Sequence, residues 1–93
     1  MSNNSNDIYD SLRKKIDETI RWPEVFLFKF IIKADNHKIA LLESLFTEQA
    51  EISHHESSTG KYISISVKEV MTSTDEVIEI YKKATAIEGV ITL

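Results

Sequence analysis

Val25-Phe26-Leu27-Phe28-Lys29-Phe30-Ile31-Ile32-Lys33 reads as a strand with two unlike faces. Side chains alternate across a strand, so Phe26, Phe28, Phe30 and Ile32 form one wholly apolar face, while Val25, Leu27, Lys29, Ile31 and Lys33 form a mixed one. A strand apolar on one side and half-apolar on the other belongs in the middle of a sheet. Immediately after it, Asp35 or Asn36 caps a helix on which Ile39, Leu42, Leu45 and Phe46 share a side, expected to run to about Glu48. Before it, Pro23 pushes Trp22 toward extended geometry and closes an earlier helix. That helix, residues 8–21, carries Ile8, Leu12, Ile16 and Ile20 at four-residue intervals with Tyr9 alongside. Asp7 is its expected N-cap, and Asp10 with Lys14 and Asp17 with Arg21 form i,i+4 pairs in the favourable order.

Farther out, Ala50 to Glu56 and Lys61 to Glu69 flank Ser57-Ser58-Thr59-Gly60, a four-residue hairpin connection with glycine where a positive φ is needed. Ile63, Ile65 and Val67 face one way on the second of these strands, and Tyr62, Ser64, Ser66 and Lys68 the other. Ser73 and Glu76 have capping-box spacing ahead of Val77, Ile80, Tyr81 and Ala84, which repeat at helical intervals. Asp75 and Glu76 early and Lys82 and Lys83 late suit the helix dipole. Gly89 precedes a last short strand, Val90 to Leu93. The order is a helix followed by βαββαβ. It predicts an α+β ferredoxin-like sandwich, a four-stranded antiparallel sheet with two helices on one face, plus the extra N-terminal helix. The expected division is a disordered tail at 1–7, the amphipathic helix at 8–21 and the ferredoxin-like domain at 22–93.

Composition bounds what such a chain can do. At 93 residues and 10.7 kDa, folding buries about 64% of the surface of the extended chain, enough for one core. No cysteine is present, which removes thiol nucleophiles, zinc–thiolate sites and disulfides. The net charge of −4 arises after residue 21, because residues 1–21 balance four acids against four bases. An acidic domain repels phosphate backbones and anionic membranes, so neither nucleic acid nor membrane is an expected partner. The N-terminus lacks a basic, then apolar, signal segment and no membrane-length apolar run exists, so the expected location is the cytoplasm.

Many chemistries use a βαββαβ scaffold, and each needs its own residues. A metallochaperone of this shape needs paired cysteines. An acylphosphatase-like enzyme needs a glycine-rich loop with an arginine, but Arg13 and Arg21 both lie on the first helix and Ala34-Asp35-Asn36-His37 has no glycine. RNA recognition needs several aromatics on the central strands, and Gly60-Lys61-Tyr62-Ile63-Ser64-Ile65 offers one. His54 and His55 are consecutive in a strand, point to opposite faces and cannot share a metal. Ser57, Ser58 and Thr59 have no recognisable His/Asp pair for hydroxyl catalysis. No catalytic residue, cofactor or metal is expected, and the chain is expected not to be an enzyme.

The sheet's second face is left over. Leu27, Ile31, Lys29, Tyr62, Ser64 and Ser66 share it, and its apolar members need cover from the first helix, another subunit or a heterologous partner. The candidate interaction surface is therefore Leu27, Lys29 and Ile31 together with Ser57, Ser58, Gly60, Lys61, Tyr62 and Ser64 of the hairpin.

Trp22-Pro23, Phe26-Leu27-Phe28-Lys29, Ser57-Ser58-Thr59-Gly60-Lys61-Tyr62-Ile63-Ser64, Ile80-Tyr81 and Ile87-Glu88-Gly89-Val90 resemble the YbeD-like family of small bacterial proteins of uncharacterised function. The likeness covers residues 20–93, and the Ser-Ser-x-Gly-x-Tyr-x-Ser stretch is its most specific part. It implies a ferredoxin-like fold similar to ACT-type regulatory domains, which bind amino acids. The expected function is a non-enzymatic regulatory or protein-interaction module, with a protein partner or a homodimer. The alternative is an ACT-type domain sensing a small molecule such as an amino acid.

Overall fold

A computed structural model describes residues 4–93, without the side chains of 4–7. The elements follow the order α1 (Asn4–Thr19), β1 (Glu24–Lys33), α2 (Asn36–Glu43), β2 (Glu51–Glu56), β3 (Tyr62–Met71), α3 (Thr74–Thr85) and β4 (Ile91–Thr92). The strands form one sheet in the order β2-β3-β1-β4, with every neighbouring pair antiparallel. This is the ferredoxin-like βαββαβ sandwich with an added leading helix. The strand with two faces is central, as its pattern requires: β1 pairs with β3 along its whole length, from Glu24 against Met71 to Lys33 against Tyr62.

The apolar face of β1 meets the helices. Phe28, Phe30 and Ile32 are buried, with Ile65, Val67 and Met71 from β3, Leu42 from α2 and Val77, Ile80 and Ala84 from α3. Phe28 ties the halves together, its ring centroid 5.2 Å from Phe46 and 5.4 Å from Tyr81. Burial also pushes the Tyr81 phenol above its ordinary pKa. Asp35 caps α2 by accepting from the backbone N–H groups of His37 and Lys38. Ser73 caps α3 by accepting from the Glu76 N–H, while Glu76 reaches back to the N–H of Thr72 rather than that of the cap.

Several boundaries differ from the sequence reading: α1 ends at Thr19 rather than at residue 21, β4 is Ile91–Thr92 rather than Val90 to Leu93, and three further differences have a visible cause. Residues 1–3 of the expected tail lie outside the described residues, and residues 4–7 form the first turn of α1, so Asp7 lies within the helix instead of capping it. Asn4-Ser5-Asn6-Asp7 contains no proline or glycine, and an acid in the first turn suits the helix dipole. α2 stops at Glu43 rather than near Glu48, because the chain tightens into turns in which Leu45 N–H donates to Leu42 and Phe46 N–H to Glu43. The Glu69 carboxylate, almost buried on β3, then accepts from the Thr47 hydroxyl and, at 3.3 Å, from the Thr47 N–H. β3 runs on to Met71, two residues past its expected end, because Val70 and Met71 keep the alternation.

α1 docks on α3 and leaves the second face of the sheet uncovered. Ile16 enters the core, with Leu12 and Ile20 packed against it. Asp17 accepts from the Thr74 hydroxyl at 2.5 Å, and Thr74 accepts from the Trp22 indole at 3.1 Å. Arg13 pairs with Asp75, and the Lys82 ammonium lies 5.4 Å from the centre of the Tyr9 ring. The two helices therefore run antiparallel on the side already occupied by the core.

Candidate functional site

Register places the open face residue by residue. Leu27 lies opposite Lys68, Lys29 opposite Ser66, Ile31 opposite Ser64 and Lys33 opposite Tyr62. On the outer side of β3, Glu51 faces Lys68, Ser53 faces Ser66 and His55 faces Ser64. On the outer side of β1, Ile91 lies opposite Ile31, and the Leu93 N–H donates to the Lys29 carbonyl. The face thus has an apolar ridge along β1 and β4 and a low strip of serines along β3 and β2. Val25 is 53% exposed, Leu27 52% and Ile91 54%, so about half of each of these hydrophobic side chains stays in water.

Of the residues singled out from sequence, Leu27, Lys29, Ile31, Tyr62 and Ser64 share this face. A depression of about 360 Å³ is lined there by Ile31, His55, Ser57, Tyr62 and Ser64. Ser58, Gly60 and Lys61 belong to the hairpin beyond the end of the ladder. Gly60 adopts φ +73°, the left-handed conformation its place in the turn demands. The Ser57 hydroxyl accepts from the Tyr62 N–H at 3.2 Å, while the Ser57 N–H donates to the Tyr62 carbonyl, so Ser57 closes the hairpin. Lys61 reaches a second depression, of about 540 Å³, with Lys33, Ala34, Asp35 and Tyr62.

The candidate surface drawn from sequence left out Val25 and Lys68, although alternation had already placed them on these faces, and it left out Val70, His55 and Ile91, which the register adds. Alternation carried past Glu69 could have supplied Val70 as well. Ile91 could not be found that way, because the orientation of a two-residue strand is set by the partner it pairs with. The histidines separate as expected: His54 contacts Glu43 at the end of α2, whereas His55 lies on the open face. No helix among the described residues is long and apolar enough to cross a membrane.

Comparison with known proteins agrees with this geometry. The family described as "Protein of unknown function (DUF493)" matches residues 17–93. A UPF0250 protein of Shewanella halifaxensis (strain HAW-EB4) is 30% identical over 83 residues, which cover 85% of this chain and 94% of that protein. The solution structure of protein HP0495 from H. pylori aligns with a TM-score of 0.64 at 23% identity, over 81% of this chain and 86% of that one.

Proposed function

Because the chain belongs to the DUF493 family, which is that of the UPF0250 and YbeD-like proteins and has no known function, we propose its role from its own surface: a non-enzymatic protein-interaction module acting in the cytoplasm. One observation carries the reading. A complete core is built on one face of the sheet, and the other face keeps the aliphatic side chains Val25, Leu27, Ile31 and Ile91, set around Lys29, that α1 does not cover. Exposed apolar patches of that kind mark contact surfaces in small soluble domains. The hairpin extends the same surface through Tyr62 and Lys61.

The test compares the wild-type chain with Ile31→Glu and with Lys61→Ala/Tyr62→Ala by sedimentation and by affinity capture from bacterial extract. The expected result is loss of association in Ile31→Glu, weakening in the hairpin variant and an unchanged melting temperature in both. Association that survives Ile31→Glu unaltered overturns the reading.

A second reading, an ACT-like amino-acid sensor, is supported by the depression at the end of β1. Lys33 and Lys61 supply two ammonium groups there and Asp35 a carboxylate, the complement of a zwitterion. Asp35 already accepts two backbone N–H groups of α2, which ties up one of its oxygens. A ligand on this site raises the melting temperature by mass action. Amino acids at millimolar concentration that produce no shift remove this reading.

A further inference from the structure

We infer that the open face receives an acidic amphipathic helix of another protein, laid along β3 with its apolar side on the β1–β4 ridge and its carboxylates toward Lys29, Lys33 and Lys68. The inference rests on the reading of this face as a contact surface and adds the chemistry of the occupant. Relief is the first argument. Ser53, Ser64 and Ser66 keep the strip over β2 and β3 low, while Leu27, Ile31 and Ile91 stand beside it. From Lys68 to Tyr62 the strip runs about 20 Å at ~3.4 Å per residue. A helix of about 13 residues has that length, and helix-in-groove recognition asks for an apolar wall of this kind.

Charge is the second argument, and it selects the partner. In a chain of net charge −4, this face carries Lys29, Lys33 and Lys68 against the single acid Glu51, which lies across from Lys68. Among the described residues, none of these three lysines makes an ion pair. The face is therefore a basic island on an acidic molecule, and complementary potentials favour an acidic partner. A second copy fits less well: a twofold contact presents the same patch from both sides, and Lys29 on the central strand β1 would bring like charges together. Single-stranded RNA fits less well too, since the face's aromatic rings, Tyr62 and His55, lie together at one end, and the neighbouring wall is aliphatic where stacking platforms are aromatic.

The test titrates the full ¹⁵N-labelled chain with three synthetic helical peptides of about 15 residues and with oligouridine RNA. One peptide has leucines on one side and glutamates on the other, the second carries lysines in place of the glutamates, and the third is the acidic peptide shuffled. The acidic peptide is expected to shift the amides of β1 and β3, to bind at least about tenfold tighter than the lysine peptide and to weaken with salt. Lys29→Glu/Lys33→Glu should reverse that preference with the melting temperature unchanged. Equal affinity for the acidic and lysine peptides, or preferential binding of RNA, overturns the acidic-helix inference and leaves the contact surface standing. So does a dimer abolished by Ile31→Glu that no peptide disturbs. Peptide shifts confined to α2 and α3 overturn the contact surface itself, and this inference with it.

Discussion

β1 presents hydrophobic side chains on both sides, phenylalanines and Ile32 on one and aliphatic residues among lysines on the other, and the two sides have opposite fates. Phe28 and Phe30 are wholly buried, whereas Val25 and Leu27, their alternating neighbours on the same strand, are more than half exposed. The second side carries two lysines, Lys29 and Lys33, but Val25, Leu27 and Ile31 on it are hydrophobic as well, so composition alone does not account for the difference. Placement does: α1, α2 and α3 all lie against the Phe face, and none lies against the other. Burial stabilises the fold in proportion to apolar area removed from water, so the closed face contributes far more to stability than the open one. Hydrophobic residues on the second face keep apolar area that the proposed partner would bury.

Removing a large side chain from the closed face gives the largest expected effect. Phe30→Ala should cost about 3–5 kcal/mol, the transfer energy of the ring plus a cavity between the sheet and the α2–β2 turn, read from urea denaturation. Phe46, whose ring centroid is 6.3 Å from that of Phe30, would lose its neighbour. A cost below about 1 kcal/mol would mean that the closed face is loosely packed, and the contrast between the two faces would collapse.

A middling effect is expected where α1 joins the closed side. Thr74 is nearly buried and links Asp17, on the last turns of α1, to the Trp22 indole. Thr74→Val keeps the shape but strands both partners, and should cost about 1–3 kcal/mol with a change in Trp22 fluorescence. The family match begins at residue 17, so the first three turns of α1 lie outside it, while Asp17, Trp22 and Thr74 lie inside. The contact thus fastens the added helix to the shared domain. If Thr74→Val leaves the emission of Trp22 and the stability unchanged, α1 is held by Ile16 and its apolar neighbours alone.

The sheet and its order were legible because β1 and β3 alternate over many residues and because Ser73, Asp35 and Gly60 each occupy the local geometry their chemistry suits. The end of α2 was not. Leu42, Leu45 and Phe46 fall on one side in an α-helix and equally in the tighter turns that replace it, so periodicity cannot separate the two. What decides is Glu69, over twenty residues downstream, holding the Thr47 N–H and hydroxyl. The docking of α1 was equally hidden: a stripe of Ile8, Leu12, Ile16 and Ile20 shows that a helix will bury one side, not which surface will receive it. Half of the open face was legible from alternation. The rest, Ile91 above all, depended on pairing between distant strands.

The smallest expected effect on stability is the one that tests the comparison most directly. Leu27→Ser removes an aliphatic side chain of the same strand, one residue from Phe28, but from the exposed side. Because about half of Leu27 is already in water, and surface substitutions away from special features stay near ±0.5 kcal/mol, the denaturation midpoint should barely move. Binding to the acidic amphipathic peptide should nevertheless weaken, because the ridge loses a methyl-rich wall beside Lys29. A loss of stability approaching that of Phe30→Ala would mean that Leu27 is part of the fold's own packing. In that event the row from Val25 to Ile31 would be a second core face, and the surface assigned to a partner would shrink to the hairpin. An unchanged midpoint with reduced binding separates the two faces by function as the register separates them by position.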